Sequence, residues 1–208
     1  MKENNWFDPF YIQSHLNEEE SNIQKNVRDF CNNELKPTVV ERNRKNEFDK
    51  ELYPKFGSLG VLGQTVKTHG GSGTSNLAYG LVAYEFEKID SSYRSSISVQ
   101  SSLVIHPINE FGSQEQKDKY LPQLIKGEKI GCFGLTESEA GSDPASMKTS
   151  FKKTKDGYIL NGSKNWITNA PIADIFIIWA IEENKDHKSI KGFITVSYTH
   201  LRAHETQY

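Results

Sequence analysis

Apolar residues recur at helical spacing through the first two-thirds of the chain, then switch to strand-like runs. Asn17 followed by Glu18, Glu19 and Glu20 predicts a capped helix start, with Ile23, Val27, Phe30 and Leu35 along one face and Pro37 ending or bending it. A second helix is predicted from Asp49 to about Leu59, on Leu52, Phe56 and Leu59, with Gly60 stopping it. The stretch Asn76 to Ile89 is apolar nearly all round and belongs inside a bundle. Residues 90–102 hold seven serines in thirteen positions, yet Ile97, Val104, Ile108 and Phe111 keep near-helical spacing. They predict a helix with small, polar faces, closed by Gly112. Ser113 with Gln116 opens one more helix, carrying Tyr120, Leu121 and Leu124. After Gly127 the pattern becomes strand-like at 130–135, 158–160, 166–168, 175–181 and 192–195, with Asp156-Gly157 and Asn161-Gly162 as turns. The expected class is therefore α+β: an all-helical domain over 1–127, then an antiparallel β domain over 128–195.

Residues 196–208 fit neither pattern. The run Val196-Ser-Tyr-Thr-His-Leu-Arg-Ala-His-Glu-Thr206 resembles one reading frame of a transposase adapter used in sequencing libraries. The native sequence is expected to stop near Thr195, so this tail is set aside from fold reasoning.

Composition narrows the function classes. A formal net charge of −2 with no Lys/Arg block disfavours nucleic acid. Cys31 and Cys132 are too few for a disulfide framework and lack metal spacing. His15, His69, His106 and His187 are scattered, so no metal is expected. No apolar run is long enough to span a membrane, and the start, Met-Lys-Glu-Asn-Asn-Trp, looks like neither signal nor transit peptide. The expected location is the bacterial cytoplasm, or the mitochondrial matrix for a eukaryotic source whose N-terminus lies upstream. The run His69-Gly-Gly-Ser-Gly-Thr-Ser75 lacks the Gly-Lys-Ser/Thr ending of a phosphate cradle and reads as a loop between helices.

Two stretches carry candidate chemistry. The apolar run 130–135 breaks into a loop of hydroxyls and small residues, Thr136, Ser138, Ala140, Gly141 and Ser142, whose backbone a planar or anionic ligand can approach. Asn165-Trp166-Ile167-Thr168-Asn169 sets an indole and a hydroxyl two positions apart, which on a strand share a face. An aromatic wall with hydroxyl donors suits a flat heteroaromatic ring with polar edges, and together the stretches suggest a flavin site.

The same residues resemble a known family. Cys-Phe-Gly-Leu-Thr-Glu…Ala-Gly-Ser-Asp (132–143) and Trp-Ile-Thr-Asn (166–169) look like the two flavin-contacting signatures of acyl-CoA dehydrogenases, in order and at compatible spacing. Ser92-Tyr-Arg-Ser95, Ser98-Val-Gln-Ser-Ser-Leu103, His106-Pro107 and Tyr120-Leu-Pro-Gln-Leu124 resemble the glutaryl-CoA dehydrogenase branch in particular. The resemblance runs from about Glu18 to Thr195 and implies the N-terminal half of a family chain.

It further implies FAD as cofactor, held along Phe133, Gly134, Leu135, Thr136, Gly141 and Ser142, with Trp166, Ile167 and Thr168 at the ring and the Thr168 hydroxyl towards N5. Ser142 also lies at the CoA side. Arg94 and Ser95 are implied to bind the glutaryl end. There a guanidinium offers two parallel donors to a carboxylate whose unpaired burial costs several kcal/mol. The implied reaction oxidises glutaryl-CoA at Cα–Cβ and releases carbon dioxide to give crotonyl-CoA. The resemblance also implies that electrons leave through electron-transfer flavoprotein and that the full-length enzyme is a homotetramer. No position here matches the catalytic Glu, which the family carries in a C-terminal helical domain, so the 208-residue chain is expected to be inactive and to bind FAD weakly. Glu137 and Asp143 read as loop-capping or surface groups. The alternatives are another acyl-CoA dehydrogenase, a non-catalytic flavin- or acyl-CoA-binding protein, and a purely structural α+β protein.

Overall fold

The computed structural model describes residue 8 and residues 10–197. Seven α-helices occur among them: α1 (Glu18–Phe30), α2 (Val39–Lys45), α3 (Leu52–Ser58), α4 (Asn76–Glu87), α5 (Ser91–Ser98), α6 (His106–Phe111) and α7 (Gln114–Ile125). Five strands follow: β1 (Gly131–Gly134), β2 (Ser150–Lys153), β3 (Tyr158–Asn161), β4 (Ile175–Glu182) and β5 (Lys191–Val196). Helices first, sheet second, is the order the periodicity predicts. Residues 198–208 of the set-aside tail lie outside the described residues. Among the described residues no helix is long and apolar enough to cross a membrane.

Local chemistry explains the helix ends. Asn17 and Ser113 each accept the N3 amide, while Glu20 and Gln116 reach back to the cap amide, forming two complete capping boxes. Ser75 closes the glycine-rich loop by capping α4 through Ala78 N–H. Two π-helical runs, Cys31–Leu35 and Val99–Ile105, each stand two residues before a proline. The missing N–H of Pro37 or Pro107 removes an ordinary helical bond there, and the wider turn absorbs it. Because of the second run, residues 91–111 form one continuous helical rod.

The sheet is mixed rather than purely antiparallel. β4 pairs parallel with β1 (Gly131 opposite Ile175) and with the start of β2, and antiparallel with β5; β2 and β3 form a hairpin. The Asp156-Gly157 turn sits in that hairpin, with Gly157 at φ 147°. A single apolar core spans helices and sheet, joining Val27, Phe56, Phe86, Val104 and Leu121 to Ile130, Ile175 and Ile177.

At the junction the backbones come very close. Gly127 has φ 72°, and a Cβ on it would stand 2.1 Å from Tyr53 O; a Cβ on Gly131 would stand 2.5 Å from the Val104 side chain. Between them, fully buried Gln100 donates to Leu124 O and Lys129 O, both at 2.9 Å, and accepts from Gly131 N–H at 2.7 Å. One amide thus ties the helical rod to the end of α7, the linker and the first residue of β1. Gln100→Leu leaves Gly131 N–H and Lys129 O unpaired and is expected to cost about 2–4 kcal/mol in urea unfolding. A loss under about 1 kcal/mol would show that water or a shifted linker replaces these bonds.

Candidate functional site

The site begins where β1 ends. Cys132 points into the core, and burial pushes its thiol up to about 12, which removes it as a nucleophile. Half-buried Phe133 meets Trp179 edge-to-face at 5.9 Å. A Cβ on Gly134 would stand 2.7 Å from Ile178 Cδ1, so glycine lets the end of that side chain lie against the strand without shifting. Leu135 and Thr136 then leave the sheet half-exposed. Glu137 and Ala140 exchange backbone bonds of 3.1 and 3.2 Å, making a tight turn with Ser138 and Glu139 at its tip. Gly141, Ser142 and Asp143 follow on the surface, and a Cβ on Gly141 would meet nothing within 4 Å.

The second stretch is a loop, correcting the strand expected at 166–168. Trp166 adopts φ 58° and Asn169 φ 71°, both left-handed, and a short 3₁₀ turn covers Ala170–Ile172. Alternation along a strand therefore does not place Trp166 and Thr168 on one face. Tertiary hydrogen bonds seat the loop instead. Asn165 N–H donates to Thr136 O at 2.9 Å, and buried Asn169 Nδ2 donates to Gly131 O at 3.1 Å. The loop is thus pinned at both ends alongside β1, by Asn169 at the strand's first residue and by Asn165 just past its last. Trp166 follows directly on Asn165 and is 84% exposed. A large aromatic left open to solvent on a left-handed backbone is costly twice over, a pattern that gathers at ligand sites.

Beneath this meeting lies a buried ion pair. Lys164 Nζ donates to Glu137 Oε1 at 2.7 Å and to Leu135 O at 3.0 Å, with both side chains 8% exposed. Glu137 also accepts Lys148 N–H at 2.7 Å and Thr149 N–H at 3.0 Å. Burial alone would raise the Glu137 carboxyl, but the Lys164 ammonium and the amide donors outweigh it and hold it near 2. Burial lowers Lys164, against the pull of Glu137. Glu137 is thus a loop-capping group, as read from sequence, but it is not on the surface. Lys164 was missed, since a lone Lys between Ser163 and Asn165 gives no local signal of burial.

The structure therefore joins Leu135 and Thr136 to Asn165 and Trp166, with Ile167 and Thr168 continuing the same loop. Among the described residues neither the Thr136 nor the Thr168 hydroxyl has a hydrogen-bond partner, so both can serve a ligand. Arg94 and Ser95 stand on α5, and among the described residues neither has a side-chain hydrogen bond or ion pair to either stretch. Arg94 Nε donates to Glu87 Oε2 at 2.6 Å, which leaves its two terminal nitrogens without a described partner. The Arg94 guanidinium, with Ser91, holds the Glu87 carboxyl below its ordinary range. Glu87 is a residue the sequence reading missed, although the seven-residue spacing that puts it near Arg94 across the α4–α5 turn was available.

Comparison with known proteins fits this geometry. The family model for the N-terminal domain of acyl-CoA dehydrogenases matches residues 17–128, and that for the middle domain matches residues 132–205. The chain belongs to the acyl-CoA dehydrogenase family. The two matches meet where α7 gives way to β1. A short-chain-specific acyl-CoA dehydrogenase of Clostridium acetobutylicum is 39% identical over 181 residues, covering 86% of this chain and 48% of that protein. Mitochondrial isovaleryl-CoA dehydrogenase of Bos taurus is 41% identical over 168 residues, covering 79% and 39%. The crystal structure of a glutaryl-CoA dehydrogenase from Mycobacterium smegmatis in complex with FADH2 superposes with a TM-score of 0.86 at 41% identity, covering 91% of this chain and 48% of that one. The chain spans about half the length, or less, of the relatives it matches.

Proposed function

We propose that this chain is the N-terminal and middle part of an FAD-dependent acyl-CoA dehydrogenase, with glutaryl-CoA as its substrate. The observation that carries the flavin half of this reading is the meeting of the two signature loops through the Asn165–Thr136 bond, beside an exposed indole. The residues suit FAD. Trp166 offers a free aromatic plane, Thr136 and Thr168 offer unengaged hydroxyls, and Gly141 leaves open space along the backbone. When bound, FAD supplies the hydride acceptor for oxidation at Cα–Cβ. Trp166 orients the ring by stacking, and the Thr168 hydroxyl donates where negative charge builds up on reduction. Ser142, exposed on the loop after the tight turn, serves both the cofactor and the CoA side of the substrate.

Arg94 carries the substrate half. Its Nε is held by Glu87, so the guanidinium presents its remaining fork to a carboxylate, with Ser95 alongside. That arrangement favours a dicarboxylic acyl chain, which loses its distal carboxylate as carbon dioxide after oxidation to give crotonyl-CoA. The proton-abstracting carboxylate, the electron-transfer flavoprotein that takes the electrons and the homotetramer belong to this same reading of the longer protein. A short unbranched or branched monocarboxylic substrate is the second reading, favoured by the short-chain and isovaleryl relatives at comparable identity.

Substrate discrimination tests the proposal. The full-length protein, mixed anaerobically with glutaryl-CoA, butyryl-CoA or isovaleryl-CoA, is followed by loss of flavin absorbance. Glutaryl-CoA is expected to bleach it fastest. Preference for either monocarboxylic thioester would transfer the assignment to the second reading, and protein without flavin would end both.

A further inference from the structure

Thr136 sits between two fixed peptide groups. The carbonyl before it, Leu135 O, is held by the Lys164 ammonium at 3.0 Å, and its own carbonyl is held by Asn165 N–H at 2.9 Å. Both holders are consecutive residues of the loop that delivers Trp166. Because a peptide is planar and trans, a carbonyl drawn towards Lys164 turns the following N–H the opposite way. The ammonium is itself fixed by Glu137, whose carboxylate gathers Lys148 and Thr149 N–H from the chain leading into β2. Four segments therefore depend on one pair: the end of β1, the tight turn, the entry to β2 and the loop bearing the indole.

A purely structural pair would not need this pattern. Two well-packed apolar side chains of similar volume often serve stability as well as, or better than, a buried ion pair. They could not, however, hold a carbonyl by its lone pairs or collect two amides. We propose that Lys164 and Glu137 are positioning residues for the redox cofactor, fixing the pose in which Thr136 and Trp166 meet it. The inference rests on the flavin reading above and adds the groups that set the cradle's shape.

The test separates stability from pose in the full-length protein. Lys164→Met leaves a buried carboxylate unpaired and is expected to lower the thermal midpoint of the apoprotein. The charge-free double variant Lys164→Met with Glu137→Met recovers the part of that loss owed to the unpaired charge, while Lys148 and Thr149 N–H stay without their acceptor; it is expected to bind FAD at least ~10-fold more weakly than wild type and to shift the bound flavin's absorption maxima. Lys164→Arg, which keeps a donor fork for Leu135 O and Glu137, is expected to stay within about threefold of wild-type affinity. A folded double variant with wild-type FAD affinity would overturn the inference. If the double variant does not fold, a structure of wild-type protein with FAD decides. Lys164 still on Leu135 O, with Thr136 against the ring, upholds it; Lys164 turned to solvent overturns it. Wild-type protein that takes up no FAD brings down the flavin reading first and the inference with it.

Discussion

Glu137→Ala lowers the stability of the chain by about 3–5 kcal/mol, the cost of breaking one side of a buried, hydrogen-bonded ion pair. The Lys164 ammonium loses its counter-charge while remaining 8% exposed, and Lys148 and Thr149 N–H lose their acceptor. Urea unfolding of wild type and variant at neutral pH measures the difference. A second signature comes from acid. The Glu137 carboxyl titrates near 2 in the folded chain against an ordinary 4.5, so its contribution is complete above the ordinary value and disappears as pH falls towards 2. That contribution is on the order of 3 kcal/mol. Wild type should lose it between those limits, whereas Glu137→Ala, having no such group, should not. Glu85 and Asp49, also held below their ordinary range, contribute equally in both proteins and cancel. A variant within 1 kcal/mol of wild type at neutral pH, or with the same acid profile, would mean that the pair contributes little.

Arg94→Ala in the full-length protein should reduce kcat/KM for glutaryl-CoA by about 2–5 kcal/mol, roughly 30-fold to several thousandfold. The loss arises because the distal carboxylate would enter its pocket without a partner. For butyryl-CoA, which has no such group, less than about tenfold is expected. Glu87→Ala provides the companion test, since Glu87 fixes the guanidinium through Nε at 2.6 Å. Removing that hold should weaken glutaryl-CoA recognition while leaving the cation in place, a smaller effect of the same sign. Equal losses on both substrates for Arg94→Ala would turn the residue into a helix-surface support and remove the dicarboxylate argument.

What was legible in the sequence was what depends on neighbours in the chain. The capping boxes at Asn17 and Ser113, the helical rod hidden in the serine-rich run and the change of period after Gly127 all rest on spacings of a few residues. The two signature stretches were legible for the same reason. Elements with no local signature were lost. Strand β2 exposes Lys152 on one face and Lys153 on the other and buries only Phe151, so nothing in its composition marks it. Helix α2 buries none of its residues fully. The parallel pairing of β1 with β4 joins residues more than forty positions apart, and no alternation announces it. Residues 166–168 misled because an apolar–polar alternation also suits a loop whose backbone enters the left-handed region at Trp166. The Lys164–Glu137 pair spans 27 positions, so only the folded chain brings it together.

The central claim is that Thr136 and Trp166 form one wall of a flavin site. The sequence contains three tryptophans, Trp6, Trp166 and Trp179, and Trp166 is 84% exposed. Titrating the full-length apoprotein with FAD while following tryptophan emission, in wild type and in Trp166→Phe, reads that wall directly. Saturable quenching in wild type that is mostly lost in Trp166→Phe, with weaker FAD binding, is the result expected here. Saturable FAD binding with the same quenching and affinity in both proteins would place the flavin elsewhere and contradict it.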